Sequence, residues 1–266
     1  MSDVAPAPRP KILVTNDDGY ASEGIVVLAT ALRALGDVMV VAPDRDNSGV
    51  GHQISIRAPV AVSEVPDRTV PTFSCSGTPA DCVVVGAFEL CGGMPALVVS
   101  GINRGANVGD DLNYSGTVAA ATEATIIGIP AMAISLAASW PDRTGEQHWD
   151  AAAAIGVRMA TYILTEGLPR LSLLNVNVPN VPAERMRGIR WTRQGRKGYR
   201  NRLERNPEPG GGTLFWLRGT FDPTDIVDGT DLAAVRDHYV SVTPITIDRT
   251  NHDELGRVFR SETGTL

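Results

Sequence analysis

The sequence has little cysteine, little histidine and few aromatic residues: three Cys, four His and 5% aromatics in 266 residues. Cys75, Cys82 and Cys91 form no zinc-type spacing, so we interpret them as buried or free thiols in a reducing compartment. Residues 1–10 lack the basic and apolar regions of a signal peptide. The apolar stretches are too short to span a bilayer. We therefore expect a cytoplasmic protein that makes no membrane contact.

Two nucleotide-binding fingerprints are also missing. No Gly-x-x-x-x-Gly-Lys-Ser/Thr occurs, and no Gly-x-Gly-x-x-Gly follows the first predicted strand. The second absence argues against an NAD(P) dehydrogenase. The net charge of −6 argues against a surface that coats nucleic-acid polymers. This charge does not argue against the binding of small phosphorylated ligands, because a metal ion can offset their charge.

Apolar runs of strand length alternate with helical patterns, which predicts an α/β fold with a mostly parallel sheet flanked by helices. Residues 54–76 alternate and carry prolines, so short antiparallel strands are expected there. The predicted strands are 11–15, 38–42, 96–100, 131–135 and 171–177, and the predicted helices are 24–35, 78–90, 117–127 and 149–166.

Composition divides the chain into three parts. We predict a disordered tail over 1–10, an α/β catalytic domain over 11–180 and a C-terminal extension over 181–266. The extension is rich in Arg near its start and would struggle to form a core of its own. We expect it to act as an oligomerisation arm that packs on a second copy of the chain.

The most informative segment is Asn16-Asp17-Asp18-Gly19, which directly follows the first strand. The carboxyl edge of a parallel sheet is where ligands bind, and Gly19 permits the turn that would bring both carboxylates together. Adjacent carboxylates repel each other and resist burial, so the pair favours a divalent cation. The alternative is an ordinary Asp-Asp-Gly turn.

Two further segments that follow strands supply oxygen ligands. Residues 47–49, Asn-Ser-Gly, come after the second strand, and residues 101–107 come after the third. Carboxylate, hydroxyl and amide oxygens suit Mg²⁺ or Mn²⁺. Each segment, taken alone, is also a common loop sequence with no need of a metal. Their common position favours a shared metal site.

Residues 113–117 precede an Ala-rich helix and predict an anion site, because helix N-terminal N–H groups favour phosphate. The alternative is plain N-capping by Ser115 or Thr117. His52 could donate a proton, although a lone loop histidine is more often a surface or hydrogen-bonded residue.

Several motifs, taken in order, resemble those of the SurE family of nucleotidases. The resemblance runs from about Lys11 to Ile245. The segments that carry it are 12–19, Ile-Leu-Val-Thr-Asn-Asp-Asp-Gly; 41–43 with 47–49; 76–83, Ser-Gly-Thr-Pro-Ala-Asp-Cys-Val; 99–107, Val-Ser-Gly-Ile-Asn-Arg-Gly-Ala-Asn; 114–123; and 239–244, Tyr-Val-Ser-Val-Thr-Pro.

The resemblance implies a Rossmann-like fold and a metal-dependent phosphomonoesterase acting on nucleoside 5′- and 3′-monophosphates. It also implies that the extension is exchanged between subunits of a homodimer or homotetramer. It carries over Asp17, Asp18, Ser48 and Asn103 as ligands of one Mg²⁺ or Mn²⁺ per subunit. The residues that it implies for the phosphate pocket are Asn16, Asn107, Ser115, Gly116 and Thr117.

The mechanism we expect is in-line attack on phosphorus by a metal-activated water. Asp17 and Asp18 are the catalytic candidates, with Asp18 preferred for orienting or deprotonating the water. One rival is a nucleotide-cofactor enzyme such as a dehydrogenase or glycosyltransferase. The other is a sensor of the same fold that binds nucleotide and metal without turnover.

Overall fold

The apolar runs predicted as strands lie side by side in one sheet. The structure, a computed structural model, describes residues 8–138, 145–197, 199–207, 210–221 and 226–261. Residues 1–7, most of the predicted disordered tail, lie outside the described residues. The strands are β1 Lys11–Thr15, β2 Asp37–Pro43, β3 Val62–Glu64, β4 Thr72–Cys75, β5 Leu97–Arg104, β6 Ala131–Ala137, β7 Ser172–Pro179, β8 Ile189–Trp191, β9 Tyr199–Pro207, β10 Thr213–Phe221 and β11 Val240–Thr246.

In the described part of the chain, nine strands form the main sheet in the order β3-β4-β2-β1-β5-β6-β7-β11-β8. The pairs within the run β4-β2-β1-β5-β6-β7 are all parallel. β11 pairs antiparallel with β7 and parallel with β8. The predicted α/β fold with a mostly parallel sheet is therefore confirmed.

Helices cover both faces of this sheet. They are α1 Glu23–Leu32, α2 Pro79–Val85, α3 Gly116–Ile127, α4 Trp149–Glu166, α5 Asp231–Arg236 and α6 His252–Ser261. A π-helical turn over Gly86–Leu90 continues α2 to the end that the sequence predicts. α2 begins with a capping box in which Thr78 and Asp81 each accept a hydrogen bond from the other's backbone N–H. No helix in the described part of the chain is long and apolar enough to cross a membrane.

The core has two halves, one on each face of the sheet. Ile12 and Val14 of β1 pack with α1 and α4 on one face, whereas Leu13 packs with α2 and α3 on the other. This alternation follows from the two-residue period of a strand. The three cysteines lie in the second half of the core as buried free thiols, as predicted.

β5 is longer than the sequence predicts. The predicted strand stops at Ser100, but the register with β6 shifts and pairing resumes at Asn103 and Arg104. Gly101 makes the irregularity possible: its φ is +138°, and a Cβ there would lie 2.2 Å from the Ile134 carbonyl oxygen. Asn103 consequently sits near the end of a strand rather than in a free loop.

The region before α2 is only partly as predicted. β3 and β4 form an antiparallel pair, but β4 also pairs in parallel with β2 and so joins the central sheet. The alternating pattern of 54–76 predicts extended chain, but it does not specify which strand each segment will pair with.

The segment after residue 180 contributes to two sheets. β8 and β11 extend the main sheet beyond β7, whereas β9 and β10 form a separate antiparallel hairpin. The extension therefore contributes two strands to the main sheet and forms a second sheet with two others.

Candidate active site

β1 lies between β2 and β5 and runs parallel to both. The three strands therefore end at one edge of the sheet, which is the ligand-binding edge of open α/β folds. The segments that carry Asp17, Ser48 and Asn103 all begin or end there. The structure thus brings together the three strand ends from which the sequence predicts a metal site.

The turn after β1 is held by Asn16. Its side-chain Nδ2 donates to the Gly19 carbonyl oxygen at 3.0 Å and to Ser22 Oγ at 2.7 Å, and its Oδ1 accepts from the Gly19 N–H at 3.1 Å. Asn16 is fully buried, and Gly19 adopts a φ of +97°. Asn16 therefore shapes the turn that presents the two aspartates. Its contact with phosphate stays a prediction.

Asp17 is enclosed against the start of α3. The Thr117 hydroxyl donates to Asp17 Oδ1 at 2.6 Å. A Cβ on Gly116 would lie 2.7 Å from the Asp17 Cβ, so only glycine fits beside this carboxylate. Burial raises the pKa of Asp17 to about 6; the Thr117 hydrogen bond opposes that shift and the charge of Asp18 adds to it.

Asp18 is more accessible and contacts the end of β5. Its Oδ2 accepts from the Arg104 backbone N–H at 3.1 Å, and the residue is half-buried. Asp17 and Asp18 therefore point to different neighbours while sharing one turn. The pair joins the ends of β1 and β5 to the first turn of α3.

The segment after β2 also reaches this turn. The Asn47 N–H donates to the Asp17 carbonyl oxygen at 2.8 Å. Next in the chain, the Ser48 hydroxyl donates to Asp46 Oδ1 at 2.5 Å. A hydroxyl that donates its proton to a carboxylate still has oxygen lone pairs to offer to a cation. Ser48 is exposed at this point.

Asn103 is the amide side chain of the predicted set of metal ligands. Its Nδ2 donates to the Gly105 carbonyl oxygen at 2.8 Å. Because the nitrogen is committed to this bond, Oδ1 is the atom of this side chain that suits a cation. The bond fixes the orientation of the amide.

The donor set fits a hard divalent cation. It consists of two carboxylates, a hydroxyl and an amide oxygen, which are the ligand types of Mg²⁺ and Mn²⁺. Burial of Asp17 beside Asp18 disfavours the ionised carboxylate, and a bound cation would reverse that effect. Within the described ranges, no three His, Cys, Asp or Glu side chains are grouped to hold a metal, so any such site here depends on Ser48 and Asn103.

The start of α3 is the anion-binding candidate. Ser115 is its N-cap, and its side chain accepts from the Val118 N–H at 3.1 Å. Ser115 therefore caps α3, and its contact with phosphate stays a prediction. The first N–H groups of a helix also favour a phosphate, and at α3 they adjoin Asp17 because Gly116 contacts its side chain.

Asn107 lies in a buried polar network. Its Nδ2 donates to Ser135 Oγ at 2.8 Å, and its carbonyl oxygen accepts from the side chains of Asn175 and Asn177 at 2.8 and 2.9 Å. These bonds anchor the connection after β5 to β6 and β7. The predicted contact of Asn107 with phosphate stays a prediction.

Two contacts of this region were missed by sequence reasoning. Thr117 contacts Asp17, whereas the sequence predicts only a phosphate or capping role for it. His52 Nε2 lies 2.8 Å from Glu123 Oε2 in α3, so His52 is a hydrogen-bonded residue. The partners are 100 and 71 positions apart in the chain, and no local pattern in the sequence indicates such pairings.

Comparison with known proteins places the chain in a family. Residues 12–201 match the family described as Survival protein SurE. A protein of Pelobacter propionicus named 5'-nucleotidase SurE is 48% identical over 91% of this chain and 95% of its own length. Its namesake from Geobacter sulfurreducens is 46% identical over 92% and 90%. The crystal structure of SurE protein from Aquifex aeolicus has a TM-score of 0.80 and 40% identity, covering 95% of this chain and all of its own. The chain belongs to the SurE family.

Proposed function

We propose that this chain is a metal-dependent phosphomonoesterase that hydrolyses nucleoside 5′- and 3′-monophosphates to nucleoside and phosphate. The observation that carries the proposal is the contact of Asp17 with Thr117 and Gly116. It places a pair of carboxylates suited to a cation beside a helix N-terminus suited to a phosphate. The name 5'-nucleotidase shared by the relatives supports the same reaction.

The residues proposed to hold one Mg²⁺ or Mn²⁺ per chain are Asp17, Asp18, Ser48 and Asn103. A divalent cation bound there lowers the pKa of water and offsets charge on phosphoryl oxygens. Asn16 shapes the turn that presents the carboxylates. Asp46 and Gly105 orient the Ser48 hydroxyl and the Asn103 amide.

Asp18 is the proposed proton-handling residue. Asp17 is 4% exposed and accepts a hydrogen bond from the Thr117 hydroxyl at Oδ1, so its freedom to meet a water is small. Asp18 is half-buried and accepts the Arg104 backbone N–H at Oδ2. A carboxylate with more solvent access can orient a water for in-line attack and take its proton.

The phosphate is proposed to bind at the start of α3. The Ser115 hydroxyl and the backbone N–H groups of Gly116 and Thr117 would surround its oxygens, and the helix dipole would stabilise the charge that develops on them. The Ser115 N–H itself donates to the Asp111 carbonyl oxygen at 3.1 Å. Asn16 and Asn107 are the remaining proposed residues of the phosphate pocket. Their observed bonds fix the two loops that border it.

The β9–β10 hairpin is the proposed oligomerisation arm of a homodimer or homotetramer. Leu203 and Leu217 are cross-strand partners and are 63% and 86% exposed. Phe215 lies on the same face as Leu217 and is also exposed, whereas Trp216 is exposed on the other face. Such a patch on an isolated two-stranded hairpin indicates a protein interface, since hairpins of this kind are marginally stable alone.

The test is phosphate release from a panel of nucleoside 5′- and 3′-monophosphates with Mg²⁺, Mn²⁺ or EDTA. We expect release with either metal, loss of release with EDTA, and recovery when metal is restored. Full activity in excess EDTA would contradict metal dependence. AMP binding without phosphate release under every metal condition would instead identify a nucleotide sensor.

A further inference from the structure

The loop that carries Ser48 contains two glycines in left-handed conformations. Gly49 and Gly51 have φ values of +77° and +61°, and a Cβ on Gly49 would meet nothing within 4 Å. Such glycines are conformationally permissive, so the loop loses considerable entropy when it is held in one position. The position of Ser48 therefore depends on contacts that fix the loop from outside.

On one side of Ser48 the loop is tied to the aspartate turn. The Asn47 N–H donates to the Asp17 carbonyl oxygen at 2.8 Å, and before it the Asp44 N–H donates to the Cys75 carbonyl oxygen at 2.8 Å. These backbone bonds fix the entry to the loop. They do not fix the residues after the two glycines.

On the other side the loop is tied to α3 and α2. The Gly51 N–H donates to the Tyr114 carbonyl oxygen at 3.1 Å. The Gln53 carbonyl oxygen accepts from the Thr78 hydroxyl at 2.7 Å. Between these two anchors, His52 Nε2 lies 2.8 Å from Glu123 Oε2, a side-chain hydrogen bond that links this loop to α3.

The His52–Glu123 pair is partly shielded from solvent. The side chains are 28% and 16% exposed, so water competes less for this hydrogen bond than for one on the open surface. Glu123 lies on the same helix as Thr117, which binds Asp17. The pair therefore fixes the Ser48 loop relative to the helix that already positions Asp17.

From these contacts we infer that His52 and Glu123 are positioning residues, which hold the Ser48 loop against α3 so that Ser48 and Asp17 can share one cation. The inference rests on the proposed metal site. His52 acts here through the loop and makes no contact with substrate. Loss of a residue that orients a metal ligand typically lowers metal affinity 10–100-fold.

The test compares His52→Ala and Glu123→Ala with the wild-type chain. Hydrogen exchange of the amides of 47–51 is measured on the metal-free proteins, and Mn²⁺ affinity is then measured by calorimetry. We expect faster exchange in both variants and Mn²⁺ binding weaker by about tenfold. The double variant should lose no more affinity than either single variant, because the two residues act as one unit. His52→Gln, which keeps a donor, should recover part of the affinity.

A matched control is available elsewhere in the chain. His252 Nε2 lies 2.8 Å from Asp248 Oδ2, and this exposed pair stands at the start of α6. His252→Ala should leave both exchange at 47–51 and Mn²⁺ affinity unchanged.

Unchanged hydrogen exchange at 47–51 in His52→Ala would overturn the inference, whatever the Mn²⁺ affinity of that variant. Faster exchange with unchanged Mn²⁺ affinity would also overturn it, because the loop would then be fixed without positioning a ligand. Failure of the wild-type chain itself to bind Mn²⁺ would overturn the proposed metal site, and this inference with it.

Discussion

The Thr117 hydroxyl donates a hydrogen bond of 2.6 Å to Asp17 Oδ1. This bond joins the first turn of α3 to the carboxylate that follows β1, and both residues are buried. It keeps one carboxylate oxygen in place and lowers the pKa of Asp17 against the opposing effect of burial. The proposed cation site and the proposed phosphate site are therefore coupled through one side-chain contact.

Thr117→Val removes this hydrogen bond while keeping the shape of the side chain. We expect Mn²⁺ affinity to fall by about tenfold, because Asp17 loses its orienting partner and its pKa rises further. Calorimetric Mn²⁺ titration at pH 7.5 measures the effect. Thr117→Ser keeps the hydroxyl and should stay close to the wild type. Equal affinity in the Val and Ser variants would show that the hydroxyl does not position Asp17.

Gly116→Ala should inactivate the enzyme by displacing Asp17. The added Cβ would lie 2.7 Å from the Asp17 Cβ and 2.9 Å from its Oδ2, so the carboxylate must shift. A misplacement of this size can cost about 100-fold in rate, and we expect kcat/KM for AMP to fall by at least that factor. Gly145→Ala is the control, because a Cβ there meets nothing within 4 Å. Wild-type kcat/KM in the Gly116 variant would contradict the proposed role of this contact.

Asp17→Asn should stabilise the metal-free protein while removing activity. The pKa of Asp17 is about 6 in the folded chain against an ordinary 3.8. The folded state therefore holds the proton more tightly, and wild-type stability falls as the pH rises from about 4 to 6. Above pH 6 the variant avoids this loss, which is on the order of 2–3 kcal/mol.

The measurement is the midpoint of thermal unfolding in EDTA between pH 4 and pH 8. The variant should exceed the wild type at pH 8, and the difference should shrink towards pH 4. Asp37→Asn, on an exposed carboxylate at the opposite end of β2, should show no such dependence. A variant that is less stable than the wild type at pH 8 would contradict burial of an unfavourable charge.

The sequence predicts the elements of this fold better than their connections. The buried strand Lys11–Thr15 and the helix Trp149–Glu166 have the predicted bounds, because continuous apolar runs and 3.6-residue periodicity are local signals. The continuation of β5 to Arg104 depends on pairing with β6, which is a tertiary effect. The pairing of β4 with β2 is likewise decided by distant segments.

The same distinction holds for the candidate site. Position after a strand predicts that Asp17, Ser48 and Asn103 share one sheet edge, since parallel strands end together. It does not predict the bond of Thr117 to Asp17 or the pairing of His52 with Glu123. Those contacts depend on the packing of α3 against the strand ends, and their partners are separated by 71 residues or more.

Leu217→Asp should convert the proposed oligomer to a monomer. Leu217 is 86% exposed and opposite Leu203 in the β9–β10 hairpin, so a charge there would be buried without a partner in an interface. Light scattering after size exclusion gives the mass, and Val26→Asp on the exposed face of α1 is the control. The arm assignment fails if Leu217→Asp has the wild-type mass and the wild type is oligomeric.

The proposed metal site requires that Asp17, Asp18, Ser48 and Asn103 together hold one divalent cation. Anomalous diffraction from crystals soaked in Mn²⁺ tests it most directly, because the signal locates the ion independently of activity. We expect one peak per chain within about 2.0–2.4 Å of oxygens from these four side chains. A peak ligated by other residues, or Mn²⁺-dependent activity in crystals and solution with no peak at this turn, would contradict it.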